Sequence, residues 1–160
     1  MSKQKTPVTP AVRQLRQAGV SFTDHVYCYE ERGGTARSAL ELGLAEHSVI
    51  KTLIMEDDHG KPLVVLMHGD LQVSTKELAR LIGARTVAPC TAETAQKHTG
   101  YLVGGTSPFG TRRTMPIYLE ETILTLPKIY LNGGKRGYLV GLAPQELLRV
   151  LQPNLIKVGI

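Results

Sequence analysis

Hydrophobic spacing changes period several times along the chain, and each change predicts an element. Thr9 as N-cap and Pro10 at the first helical position open a helix in which Val12, Leu15 and Arg16 recur at helical spacing until Gly19. Phe22–Tyr29 alternates as a strand, with Phe22, Val26 and Cys28 on an apolar face and His25, Tyr27 and Tyr29 on the other. Thr35–Leu42 reads as a short helix that Gly43 ends. The β-rich runs Val49–Met55 and Leu63–Met67, joined by EDDHGK, predict a hairpin. Ser74 with Glu77 forms a capping-box pattern for a helix through Leu81, ended by Gly83. Thr91 caps AETAQKHT before Gly100. Short apolar runs at Tyr101–Val103, Met115–Leu119, Lys128–Leu131 and Tyr138–Leu142 predict four strands. Pro144 opens a last helix carrying Leu147, Leu148 and Leu151, and Leu155–Val158 predicts a final strand.

Hairpins and short helices mix without a βαβ rhythm. The predicted class is therefore α+β: a single compact domain over residues 9–160, with a mixed, mostly antiparallel, barrel-like sheet surrounded by short helices. Residues 1–8 are expected to be loose. The length of 160 residues suits one domain with a real core. No apolar run is long enough to span a bilayer, and MSKQKTPVTP lacks the apolar stretch of a secretory signal. Cys28 and Cys90 are far apart with no C-x-x-C, which fits a reduced, cytoplasmic setting. The five histidines show no paired ligand spacing, so no metal and no other cofactor is expected. A net charge of +5 and a pI near 9.3 permit a polyanionic partner such as RNA without requiring one.

Charge and glycine coincide at two places. GGTSPFG (Gly104–Gly110) is followed by Arg112 and Arg113, and NGGKRG (Asn132–Gly137) contains Lys135 and Arg136. Glycine lets bare N–H groups approach a ligand, and proline holds a loop in shape, which suits an anionic or developing-anion substrate. Neither segment is a Walker or dinucleotide motif. Asn132-Gly133 also reads as a hairpin turn. Lys51 shares a strand face with Val49, Leu53 and Met55, where a lysine needs a partner or a task. Cys90 has no visible Cys–His partner, and Ser107 lies outside a nucleophile elbow. The inventory is an anion-friendly loop and a placed lysine without a protein nucleophile.

IKTL (Ile50–Leu53), TGYLVGGTSPFG (Thr99–Gly110) and YLNGGKRG (Tyr130–Gly137) occur in this order. Together they resemble the YbaK-type aminoacyl-tRNA deacylases, free-standing relatives of the editing domain inserted in bacterial prolyl-tRNA synthetases. The resemblance runs from Thr9 to the C-terminal helix. It implies a cytoplasmic enzyme that cleaves mischarged tRNA, typically cysteinyl-tRNA(Pro), with prolyl-tRNA synthetase as a candidate partner and no membrane. It places catalytic roles on Lys51 and on Gly104, Gly105, Thr106, Ser107 and Pro108. It places substrate contacts on Tyr27, Gly110, Asn132, Gly134, Lys135 and Arg136. The implied chemistry is substrate-assisted: the cysteine thiol attacks its own ester, and the loop amides hold the carbonyl. Some relatives carry Ser where Asn132 stands and Asp where Leu139 stands. Preference for alanine or another small residue, or a non-catalytic module that binds tRNA or a synthetase, therefore stays open.

Overall fold

The computed structural model describes residues 6–160, so the expectation of a loose N-terminus falls largely on residues outside it. Five helices and eight strands follow one another among the described residues. They are α1 (Pro10–Gln17), β1 (Thr23–Val26), α2 (Gly34–Leu42), β2 (Val49–Asp57), β3 (Pro62–His68), α3 (Thr75–Ile82) and β4 (Val87–Pro89). Then come α4 (Ala92–Thr99), β5 (Ile117–Glu120), β6 (Ile129–Lys135), β7 (Tyr138–Leu142), α5 (Gln145–Leu151) and β8 (Asn154–Ile156).

The predicted caps form. The hydroxyls of Thr9, Ser74 and Thr91 accept from the amides of Val12, Glu77 and Thr94. The capping box at Ser74 is half made: the Ser74 amide donates to Val158 O, and the Glu77 carboxylate pairs with Arg80 instead. Helices α2, α3 and α4 end at Gly43, Gly83 and Gly100, each in the left-handed conformation that carries a side-chain penalty elsewhere.

β3 is buried along its whole length, as a strand covered on both faces must be. Its alternation divides the core. Val64 and Leu66, with Ile50 and Ile54 of β2, face a cluster built from α1, Phe109, β6 and β7. Leu63, Val65 and Met67, with Met55, face α3 and the C-terminal residues Ile156 and Val158. The sheet runs β1-β7-β6-β2-β3-β5-β8, with β4 added beside β2. Pairs β2–β6, β3–β5 and β5–β8 are parallel and the rest antiparallel, so the sheet is mixed, as expected. Its ends, β1 and β8, are not paired with each other among the described residues, so the path is open.

Four local expectations change. Tyr101–Val103 is a turn, not a strand: the Tyr101 hydroxyl donates to Phe109 O at 2.6 Å and the Gly105 amide to Leu102 O at 2.8 Å, closing a loop on itself. The β6–β7 hairpin turns at Arg136-Gly137. Gly133-Gly134 is a bulge between the Asn132–Leu139 and Lys135–Tyr138 pairs. β1 stops at Val26, so Cys28 is exposed rather than in the core. β4, absent from the predicted elements, is three residues long, too short for a period to show.

One topological detail positions the site. On the edge of β2 away from β3, β6 pairs with Val49 and Ile50, and β4 pairs with Met55–Asp57. Between them that edge has no neighbouring strand among the described residues.

Candidate functional site

A cleft of 880 Å³ passes this gap. Its floor is the Lys51–Met55 stretch of β2. Its walls are α2 with the segment before it, the β4–α4 junction, and the Val103–Thr106 loop beside the β6–β7 hairpin. Arg32, Arg37, Lys51 and Arg136 line it against Glu30 and Glu31, so cationic groups outnumber acids.

The two glycine-rich segments, separate in sequence, are packed on each other. A Cβ on Gly105 would stand 2.9 Å from Arg136 N and 3.1 Å from Lys135 C. Gly104 has φ +91°, and a Cβ there would strike the Tyr29 hydroxyl at 2.6 Å. Asn132 ties the segments together: its Nδ2 donates to Gly104 O at 2.8 Å, and its Oδ1 accepts from the amides of Gly134 and Lys135. Arg136 Nε donates to Val103 O at 2.8 Å while its guanidinium lies over the Tyr29 ring at 5.0 Å. Tyr27 joins the same corner through its amide, which donates to Gly137 O. Burial raises the Tyr27 pKa, with Tyr29 adding to the effect.

Of the residues singled out in the sequence, Lys51, Gly104, Thr106, Tyr27, Asn132 and Arg136 line the cleft together. Gly105, Ser107 and Pro108 are buried beneath the loop. The Ser107 hydroxyl accepts from the Phe109 amide, and Pro108 has no N–H to offer. The Gly105 amide is used on Leu102 O, whereas those of Gly104, Thr106 and Ser107 have no acceptor among the described residues. Gly110 packs against α1, its amide on Gln14 Oε1. Gly134 sits beside Thr9 and Tyr101, and Lys135 is exposed. Leu139 is buried among Ala39, Val49 and the ring of Tyr27 yet reaches the cleft.

Lys51 is half-buried. None of the ion pairs among the described residues includes it. Burial lowers its pKa below the ordinary lysine range, and the fields of Glu46 and Asp70 act the other way. An ammonium held with little counter-charge beside a cleft attracts an incoming anion.

Spatial proximity reveals a cluster that spacing hides. Cys90, on the cleft wall, meets Glu56 of β2 and His98 of α4, with donor atoms all within 4.8 Å. His98 Nε2 and Glu56 Oε1 are 3.1 Å apart. This is the Cys–His grouping that the sequence does not display, because the three residues lie on separate elements and form no regular motif. Burial, and then Glu56, push the Cys90 thiol up to about 11, so it stays protonated near neutrality and is a poor nucleophile. A second cluster, His47, His68 and Asp70, is also close enough to hold a cation, but both ring nitrogens of His68 are already engaged, by His47 O and Thr122 Oγ1. His25 stands outside the cleft lining, edge-on to Tyr130.

A mixed sheet, a cleft lined by more cations than acids, a glycine loop and a lysine outside the ion pairs of the described residues define an α+β domain with a positively charged cleft. The chain belongs to the aminoacyl-tRNA editing domain family, whose model matches residues 31–150. It is 31% identical over 150 residues to a protein of Enterococcus faecalis named as a candidate Cys-tRNA(Pro)/Cys-tRNA(Cys) deacylase, EbsC, covering 92% of each chain. A proline–tRNA ligase of Streptococcus equi subsp. equi is 31% identical over 106 residues, 66% of this chain and 17% of the ligase. The crystal structure of a candidate trans-editing enzyme for prolyl-tRNA synthetase superposes with a TM-score of 0.81 at 22% identity, over 96% of this chain and 99% of that one, a likeness of fold. No helix among the described residues is long and apolar enough to cross a membrane.

Proposed function

We propose that this protein is a deacylase that hydrolyses mischarged tRNA, with cysteinyl-tRNA(Pro) as substrate and prolyl-tRNA synthetase as the enzyme whose errors it clears. The observation that carries the reading is the cleft itself: Lys51, Gly104 and Thr106 line it together, and the cysteine on its wall is held protonated. Lys51 holds the anionic 3′ end of the tRNA. The free amides of Gly104 and Thr106, both on the cleft lining, supply donors for the ester oxygen as it gains charge. Lys135 and Arg112, both exposed, are available for phosphate contact, whereas the Arg136 guanidinium already serves the loop.

The nucleophile in this reading is the substrate's own thiol. Its sulfur forms a bond to the ester carbonyl carbon, and the bond from that carbon to the tRNA 3′ oxygen breaks. The thiol proton is lost and the leaving oxygen gains one, giving a thiolactone and free tRNA. Water then opens the thiolactone to cysteine. Tethering the thiol to its target removes much of the entropic barrier, on the order of several kcal/mol.

The test is deacylation of tRNA(Pro) charged in turn with cysteine, serine, alanine and proline. Rapid loss of cysteine alone, abolished in Lys51→Ala, is expected. Equal loss of cysteine and serine would refute the thiol mechanism. Preferential loss of alanine would assign the small-residue alternative, and binding without any turnover would leave a tRNA-binding module.

A further inference from the structure

The gap in the β2 edge leaves both main-chain groups of Thr52 unused. Two hydrogen bonds set the direction in which the strand's groups point. The Asp57 amide donates to Lys61 O, toward β3, and Ile54 O accepts from the Cys90 amide, away from β3. Main-chain groups alternate along a strand, so Thr52 shares the orientation of Ile54. Its N–H and C=O therefore point away from β3, where β6 has ended its pairing at Ile50 and β4 begins at Met55. Thr52 lines the cleft, and its Oγ1 is buried without a partner among the described residues. Buried polar groups in native proteins are nearly always paired, so three unmet groups on one cleft residue mark a place where a ligand completes the pairing.

We propose that the edge at Thr52 binds the aminoacyl end of the substrate as a one-residue strand, its α-ammonium donating to Thr52 O. The inference rests on the deacylase reading above and names how the same site holds the amino acid irrespective of its side chain. An extended aminoacyl unit presents an N–H donor and a carbonyl acceptor on one side, the complement of what Thr52 presents; this is strand addition at its shortest. The terminal adenine is the other donor–acceptor pair on the substrate. It is assigned to Tyr27 and Tyr29, the aromatic rings of the cleft lining. Ile54, Cys90 and Ala95 of the lining belong to one apolar cluster and provide no aromatic face.

Two experiments decide the matter. The first compares cysteinyl-tRNA(Pro) with 3-mercaptopropionyl-tRNA(Pro), which keeps the thiol and lacks the amine. Loss of a charged hydrogen bond predicts kcat/KM, divided by the rate at which each ester is lost without enzyme, lower by about tenfold or more; the division removes the activation that an α-ammonium gives the ester carbonyl. Equal cleavage of the two overturns the proposal while leaving the deacylase reading standing. The second uses 15N-labelled protein and the non-hydrolysable 3′-cysteinylamido-3′-deoxyadenosine, and does not depend on turnover. The amides of Thr52 and Leu53, which flank the Thr52 carbonyl, are expected to shift on binding, and to shift little with 3′-amino-3′-deoxyadenosine alone. Absence of those shifts, or the same shifts from the aminonucleoside alone, overturns the proposal.

Discussion

Gly105→Ala tests whether the contact between the two glycine segments sets the site. Gly105 has an ordinary φ, unlike Gly104, so an added methyl meets neighbours rather than forbidden backbone angles. The new Cβ would stand 2.9 Å from Arg136 N, 3.1 Å from Lys135 C and 3.3 Å from Lys135 Cα, all main chain. Carbon contacts relax at about 3.5–4.0 Å, so the loop and hairpin must separate by roughly 0.6 Å or more. That displacement falls on a loop pinned by Asn132 and Arg136 through the carbonyls of Gly104 and Val103. Overpacking of this kind costs about 1–3 kcal/mol. For a domain of this size that corresponds to a melting temperature lower by about 2–12 °C. A misplacement of about 1 Å in an active site can cost about a hundredfold in rate, so a loss of about tenfold or more is expected here. The assay is single-turnover deacylation of cysteinyl-tRNA(Pro) alongside thermal melting. Gly60→Ala serves as control: Gly60 is a left-handed hairpin glycine in open space, so it should lose stability without losing rate. A Gly105→Ala protein with wild-type rate and melting temperature would refute the reasoning.

Four further outcomes are expected. Lys51→Met removes the charge but keeps the bulk; because burial already disfavours the Lys51 charge, the variant should melt at or above the wild type yet lose most deacylation, and near-normal turnover would remove Lys51 from the mechanism. In a Cys28→Ser background, Cys90 should react with iodoacetamide at about pH 8 about a hundredfold slower than an unperturbed thiol, since its pKa stands at about 11 rather than 9.0. The sign for stability follows from the raised pKa: the Cys90 contribution is complete below about pH 9, is lost as pH rises towards about 11, and should vanish in Cys90→Ser. Asn132→Ala breaks the link from hairpin to loop and should lower both stability, by about 1–3 kcal/mol, and turnover; unchanged melting and rate would show that the loop holds its shape without it.

Much of the secondary structure was legible because its causes are local. Thr9-Pro10, Ser74 and Thr91 start helices through hydroxyls that reach amides three residues on, and Gly43, Gly83 and Gly100 stop them. The β2–β3 hairpin announces itself by two apolar runs around a polar loop. The family, too, was visible in the order of three motifs. Local reading failed where the decisive partner was distant. Tyr101–Val103 has the composition of a strand but closes a loop with Phe109, and Asn132-Gly133 has the composition of a turn but leads from a paired strand residue into the Gly133-Gly134 bulge.

The sequence by itself determined the helix ends, the central hairpin, and the residue types available for chemistry, because caps, turns and alternation act within a few residues. Tertiary structure decided which of those residues meet. Packing of Gly105 on Lys135 and Arg136 joined two loops into one wall, and folding of β2, β4 and α4 brought Glu56, Cys90 and His98 together. The interruption between β6 and β4 left Thr52 open on the cleft. Strand order sets that gap, and strand order depends on long-range pairing that no local window of the chain contains.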